Sequence, residues 1–191
     1  MHSQTILRLF SPLKYLKIYH EAKYIYDFVL PILLAIISTV ILFLIPNKPP
    51  FFGINGIVTY VSDILKYLSP FYIAALAATA TFNSPSIDSE FEGNKPYLII
   101  KVKGKKIREN LNRRQFLCLA FGYLALSNLI MYFVGYISWI VAINIHESWL
   151  NCGAIKFFFS FLYLSAFFNI LTTTMLGLSY LSERLHWKRD N

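Results

Sequence analysis

Two asparagines, Asn128 and Asn169, stand inside long apolar runs, and Thr172, Thr173 and Thr174 follow close behind the second. A side-chain amide in hydrocarbon that finds no partner costs several kcal/mol, so each must be paired. Counted from the ends of their runs, the two fall at similar depth if the runs are antiparallel helices. Two uses are open to them. One is a hydrogen bond between neighbouring helices, which contributes about 0.6 to 2 kcal/mol. The other is the lining of a polar path through an oligomer, together with the three threonines. The first is the commoner use of such residues.

No reaction centre accompanies them. The chain has no GxSxG, Walker loop, HExxH or paired carboxylates within an apolar run, and each of these chemistries needs its groups at a fixed spacing. His2, His20, His146 and His186 are scattered, and none shares a metal-ligand spacing with a cysteine or another histidine. Cys118 and Cys152 lie near opposite ends of one apolar run, beyond disulfide reach. The chain is therefore expected to be no enzyme and to carry no metal or cofactor.

The elements that hold these residues are membrane spans. The chain is 56% hydrophobic and 15% charged, where soluble domains carry about 25% charged residues. Residues 28–46, FVLPILLAIISTVILFLIP, contain no charge and reach the ~20 residues that cross a bilayer. Pro31 falls in the first turn, where a missing N–H is tolerated, and Pro46, Pro49 and Pro50 end the run. A third span over about 116–143 and a fourth over about 157–182 are equally free of charge between Arg114 and Glu147 and between Lys156 and Glu183. The second, about 57–82, is the weakest. Tyr67 to Phe82 gives only roughly 24 Å of helix, so the crossing recruits Asp63 and Lys66, three apart on one face and able to neutralise each other. Pro70 kinks that helix or starts a new one.

Cations set the orientation. Fifteen of eighteen Lys and Arg fall within residues 1–25, 83–114 and 183–191. Lys and Arg are retained on the cytoplasmic side, so these segments are expected inside, with an even number of crossings between them. The expected fold is an all-α membrane protein of four transmembrane helices with cytoplasmic termini. Its parts are a basic, interfacial N-terminal segment (1–25), a hairpin of spans (26–82), a cytoplasmic charged loop (83–114), a second hairpin of spans (115–182) and a tail (183–191). Nucleic acid is a poor match for the net charge of +8, because the charges flank apolar runs.

Within 83–114, YLIIKVKGKKI reads as a strand or small hairpin around Gly104, and ENLNRRQF as the cap of the third span. Lys101, Lys103, Lys105, Lys106, Arg108, Arg113 and Arg114 are the candidate docking residues for a cytosolic partner. In the second span, Ala74-xxx-Ala78 and Ala77-xxx-Thr81 are small-residue pairs of the kind that lets helices approach closely, within one chain or between copies of a homo-oligomer.

Three stretches carry a resemblance: Asn83-Ser-Pro-Ser-Ile-Asp88, Gly93-Asn-Lys-Pro96 and Arg113-Arg-Gln-Phe-Leu-Cys-Leu-Ala-Phe-Gly-Tyr-Leu124, with Phe116, Gly122 and Tyr123 in the last. Together they resemble the small membrane effectors encoded beside a reverse transcriptase in bacterial retron anti-phage systems. The resemblance implies an inner-membrane toxin, held silent by the reverse transcriptase with its RNA–DNA hybrid and released on infection to permeabilise the membrane and abort the infection. Such effectors are usually described with two spans. The four-span membrane subunit of the two-protein Kiwa defence system is similar in size and layout, and implies instead a non-lytic scaffold or sensor.

Overall fold

Proline decides where the first helix loosens and where it stops. The computed structural model describes residues 10–46, 49–53, 55–81, 88–89, 91, 95–102, 105–144 and 153–186. Helix α1 (Leu30–Leu44) continues back through a π turn, Ile25–Val29, and a short helical turn, Glu21–Tyr24. Pro31 has no N–H to return to the carbonyl of Asp27, four residues earlier, and the ladder there is widened into the π turn. At the other end Ile45 is extended, with φ −69° and ψ 125°, as the residue before a proline is biased to be.

Helix α2 (Ile57–Thr81) starts on a glycine turn. Gly53 has a φ of 114°, which only glycine adopts readily, and its carbonyl accepts the Gly56 N–H at 3.0 Å and the Thr59 hydroxyl at 2.7 Å. A Cβ on Gly56 would lie 2.7 Å from the backbone carbon of Phe52, so no side chain fits. The helix is continuous through Pro70 and is not divided there. Asp63 and Lys66 do pair, at 2.7 Å, with both side chains about half exposed.

Two antiparallel strands follow, β1 (Tyr97–Val102) and β2 (Lys105–Asn110), with Tyr97 paired to Asn110 and Val102 to Lys105. Helix α3 (Arg113–Asn144) opens on a reciprocal capping box. The Gln115 N–H donates to Asn112 Oδ1 at 2.8 Å, and the Asn112 N–H donates to Gln115 Oε1 at 3.0 Å. That box starts the helix three residues before the expected Phe116. Helix α4 (Gly153–His186) likewise outruns its apolar stretch at both ends. All four helices, with α1 taken from Ile25, are long and apolar enough to cross a membrane, and the chain is a multi-pass membrane protein.

The N-terminal segment departs from an amphipathic α-helix. Ser11–Lys17 is a 3₁₀ helix with Pro12 in its first turn; it buries Tyr15 while Leu16 and Lys17 face outward.

The chain forms two compact units. One comprises residues 1–24, 71–126 and 173–191, the other 25–70 and 127–172. The first is built on aromatic rings. Tyr15 stacks on Tyr123 at 4.9 Å, and Phe91, Phe116 and Tyr180 meet edge to face at 5.5 to 5.8 Å. In the second, Phe51 packs against Phe159 and Tyr163, and Phe43 against Phe157.

Candidate functional site: asparagines beside prolines, and a cationic hairpin

Each intramembrane asparagine donates to a backbone carbonyl in the turn preceding a proline of another helix. Asn169, on α4, donates to the carbonyl of Asp27 at 2.6 Å, the carbonyl that Pro31 leaves without its α-helical N–H. Asn128, on α3, donates to the carbonyl of Leu65 at 3.0 Å and to the hydroxyl of Ser69, both on α2 just ahead of Pro70. The two asparagines do not bond each other: Asn128 donates into α2, and Asn169 into the turn ahead of α1, where Pro31 leaves the Asp27 carbonyl without its α-helical N–H.

Satisfaction is incomplete around Asn128. It is 0% exposed, and its Oδ1 has no hydrogen-bond partner. The Tyr163 hydroxyl, also buried, has the Ser62 hydroxyl as its polar neighbour. A Cβ placed on Gly135 of α3 would lie 2.7 Å from that hydroxyl and 3.1 Å from the Ser62 Oγ, so these two polar groups converge on the glycine. On α2, Ser62, Leu65 and Ser69 lie on one helical face, spaced three and four apart. The result is a polar seam from Ser62 and Tyr163 to Ser69 and Asn128, with Asn128 Oδ1 left open among the described residues. The three threonines do not extend it uniformly. Thr172 back-bonds to the carbonyl of Phe168, and Thr174, in the other unit, meets the Tyr72 hydroxyl at 2.7 Å.

Among the described residues the small-residue pairs are mostly uncovered. Ala74, Ala77 and Thr81 are exposed and Ala78 is half-buried, while Tyr72 and Thr79 take the buried face of that stretch. The Thr81 hydroxyl donates back to the Ala77 carbonyl at 2.8 Å.

The cationic cluster of 83–114 separates into three. Every residue of β2 is exposed, Lys105, Lys106 and Arg108 among them, and the Arg108 guanidinium lies 4.9 Å from the Tyr97 ring centre. Lys101 belongs to β1 opposite Lys106, and Lys103 lies outside the described residues. Arg113 and Arg114 are not docking residues. Arg113 is 6% exposed and sits 5.9 Å from the Phe91 ring centre. Arg114 forms an ion pair with Asp88, its Nε 2.7 Å from Oδ1 and its Nη2 donating to Oδ2 at 2.8 Å, and it donates to the Ala80 carbonyl at 3.3 Å, which caps α2. As the first residues of α3 they are drawn into tying the helix start down.

Of the family-like residues, Asp88 makes that ion pair, and the Pro96 carbonyl accepts the Leu111 N–H at 2.9 Å. Phe116 and Tyr123 belong to the aromatic core, Gly122 lies near Pro12, and Gly93 falls outside the described residues. Pro96 and Phe116 also line a small cavity with His20, Lys23, Phe91, Leu176 and Tyr180. Lys23 had been counted with the solvated basic segment. It is 4% exposed, with its ammonium 4.4 Å from the Tyr15 ring centre. Among the described residues no group of three or more His, Cys, Asp or Glu could hold a metal ion.

No family model, no curated protein and no solved structure matches this chain.

Proposed function

We propose that the chain is a non-enzymatic membrane effector that makes a membrane permeable to ions, and that a cytosolic partner holds it silent. One observation carries this reading: the seam of Ser62, Ser69, Asn128 and Tyr163 within apolar spans, in which Asn128 Oδ1 is buried without a hydrogen-bond partner among the described residues. Polar atoms at such positions call for water, and water among membrane helices is the beginning of a conduit. The outward face of Ala74, Ala77 and Thr81 supports assembly of several copies, since small side chains let helices approach. The resemblance to retron effectors supplies the setting: a bacterial inner membrane, a reverse transcriptase with its RNA–DNA hybrid as the restraining partner, and abortive infection as the outcome. Inducible expression of the chain alone in cells loaded with a voltage-sensitive dye tests it. Depolarisation is expected, and it should be smaller for Asn128→Leu at equal membrane insertion; an unchanged potential at verified insertion overturns the reading.

A second reading is a non-lytic scaffold or sensor subunit of a two-protein, Kiwa-like defence complex. The exposed β2 strand favours it, because a cationic surface that among the described residues meets only its partner strand is available to another molecule. In that case expression leaves the potential intact, and neutralising Lys103, Lys105, Lys106 and Arg108 abolishes recovery of the partner with the purified protein.

A further inference from the structure

We propose that one face of the hairpin, carrying Ile99, Lys101, Lys106 and Arg108, is a docking surface for the anionic headgroups of phospholipids. The inference needs only a membrane protein and is independent of which function above holds. In an antiparallel pair, residues directly opposite share a face. The register sets Tyr97 against Asn110, Ile99 against Arg108 and Lys101 against Lys106, so this face holds three cations and no acid. The other face holds Leu98, buried at 9%, and the hairpin's one acid, Glu109.

Aliphatic content distinguishes the occupant. Ile99, in the middle of the cationic face, is 44% exposed. Nucleic-acid phosphates reward cations but give an isoleucine nothing, whereas the boundary between headgroups and acyl chains accepts both. Position agrees. Only Leu111 and Asn112 separate β2 from α3, roughly 7 Å of chain at most, and the headgroup layer on each side of a bilayer is about 5 to 7 Å deep. The hairpin is also held in place rather than hanging free. Tyr19 and Tyr97 exchange backbone hydrogen bonds at 3.0 and 3.3 Å, the Leu111 N–H reaches Pro96, and the capping box fixes Asn112 to α3.

Hydrogen exchange on the full chain, reconstituted in vesicles of phosphatidylcholine with or without phosphatidylglycerol, tests the proposal. Amides of the hairpin should exchange about tenfold more slowly in the anionic vesicles, and the slowing should vanish in 1 M salt, where charges are screened beyond about 3 Å. The triple variant Lys101→Gln, Lys106→Gln, Arg108→Gln should lose it and Lys105→Gln should keep it, with exchange in the four spans unchanged as the check on folding. If the triple variant disturbs the spans, Arg108→Gln alone decides, by reducing the slowing or not. Equal exchange in the two vesicle types overturns the proposal, as does a neutralised face that behaves like the natural one. Protection that arises only when polyglutamate is added would also overturn it, in favour of an acidic protein surface.

Discussion

Pro31 removes one amide from the first span, and Asn169 supplies another from a different helix at 2.6 Å. Because the donor answers a specific vacancy, its value depends on the proline. Asn169→Leu is expected to cost about 1 to 2 kcal/mol in unfolding of the detergent-solubilised protein. In a Pro31→Ala background, where the backbone can serve Asp27 itself, the same substitution should cost less than half as much; equal costs in both backgrounds would show that the two residues are not coupled. Gly135 is limited by space. Gly135→Ala puts a methyl 2.7 Å from the Tyr163 hydroxyl, so it should destabilise by about 1 to 3 kcal/mol, and adding Tyr163→Phe should recover part of that loss. Thermal unfolding of these variants measures both effects. The asparagines were legible in the sequence as buried donors, but their partners are backbone carbonyls, which every residue has and no side-chain pattern marks. The available signal was the prolines: Pro31 and Pro70 are the two inside spans, and each displaces a hydrogen bond that some donor must replace.

At the level of elements, the start of α3 joins the loop to the membrane. Asn112 and Gln115 satisfy each other's backbone amides there, Arg114 binds Asp88, and Arg113 is buried beside Phe91. Asn112→Ala should therefore remove about 1 kcal/mol from the first turn, and hydrogen exchange should quicken over residues 113–116 while the rest of α3 is unaffected. Quickening throughout the helix would mean that the box holds more than its own turn. The spans themselves were readable because length and apolarity suffice to define them: 57–82 against Ile57–Thr81, 28–46 against Leu30–Leu44. The hairpin around Gly104 was readable for the same local reason, two short β-prone runs about a glycine. What could not be read was which cations stay in water. Lys23, Arg113 and Arg114 look like Lys105 and Arg108 in composition, and only tertiary neighbours, an aromatic ring or Asp88, draw them inward. The 3₁₀ turn at Ser11–Lys17 carries no sequence pattern beyond Pro12 in its first turn.

For the whole molecule, four crossings make the parity of the termini a matter of counting, while the side they face depends on charge. Helices α1 to α4 are each long and apolar enough to span; with all four crossing, the N-terminus, the hairpin and the C-terminus are expected on one side and the connections at 45–56 and 145–152 on the other. The helix most able to break that parity is α2, the least apolar of the four and the one that carries Asp63, Lys66 and Pro70. Its charges sit near its start and neutralise each other at 2.7 Å, which lets them remain at headgroup level while the uncharged remainder crosses. Reporter fusions after residues 48, 104, 148 and 191, one active only inside the cell and one only outside, test both points together. Fusions at 104 and 191 should report inside and those at 48 and 148 outside, since the Lys and Arg of 83–114 and 183–191 resist translocation. If 104 reports with 48, α2 does not cross, and the hairpin faces the side opposite to the one its charge requires. Replacing Asp63 alone by Leu sharpens the test: it strands Lys66 without its partner while making the helix more apolar. A topology governed by helix apolarity would then be firmer and one governed by the ion pair weaker, and the activity of the fusion at 104 reads the difference directly.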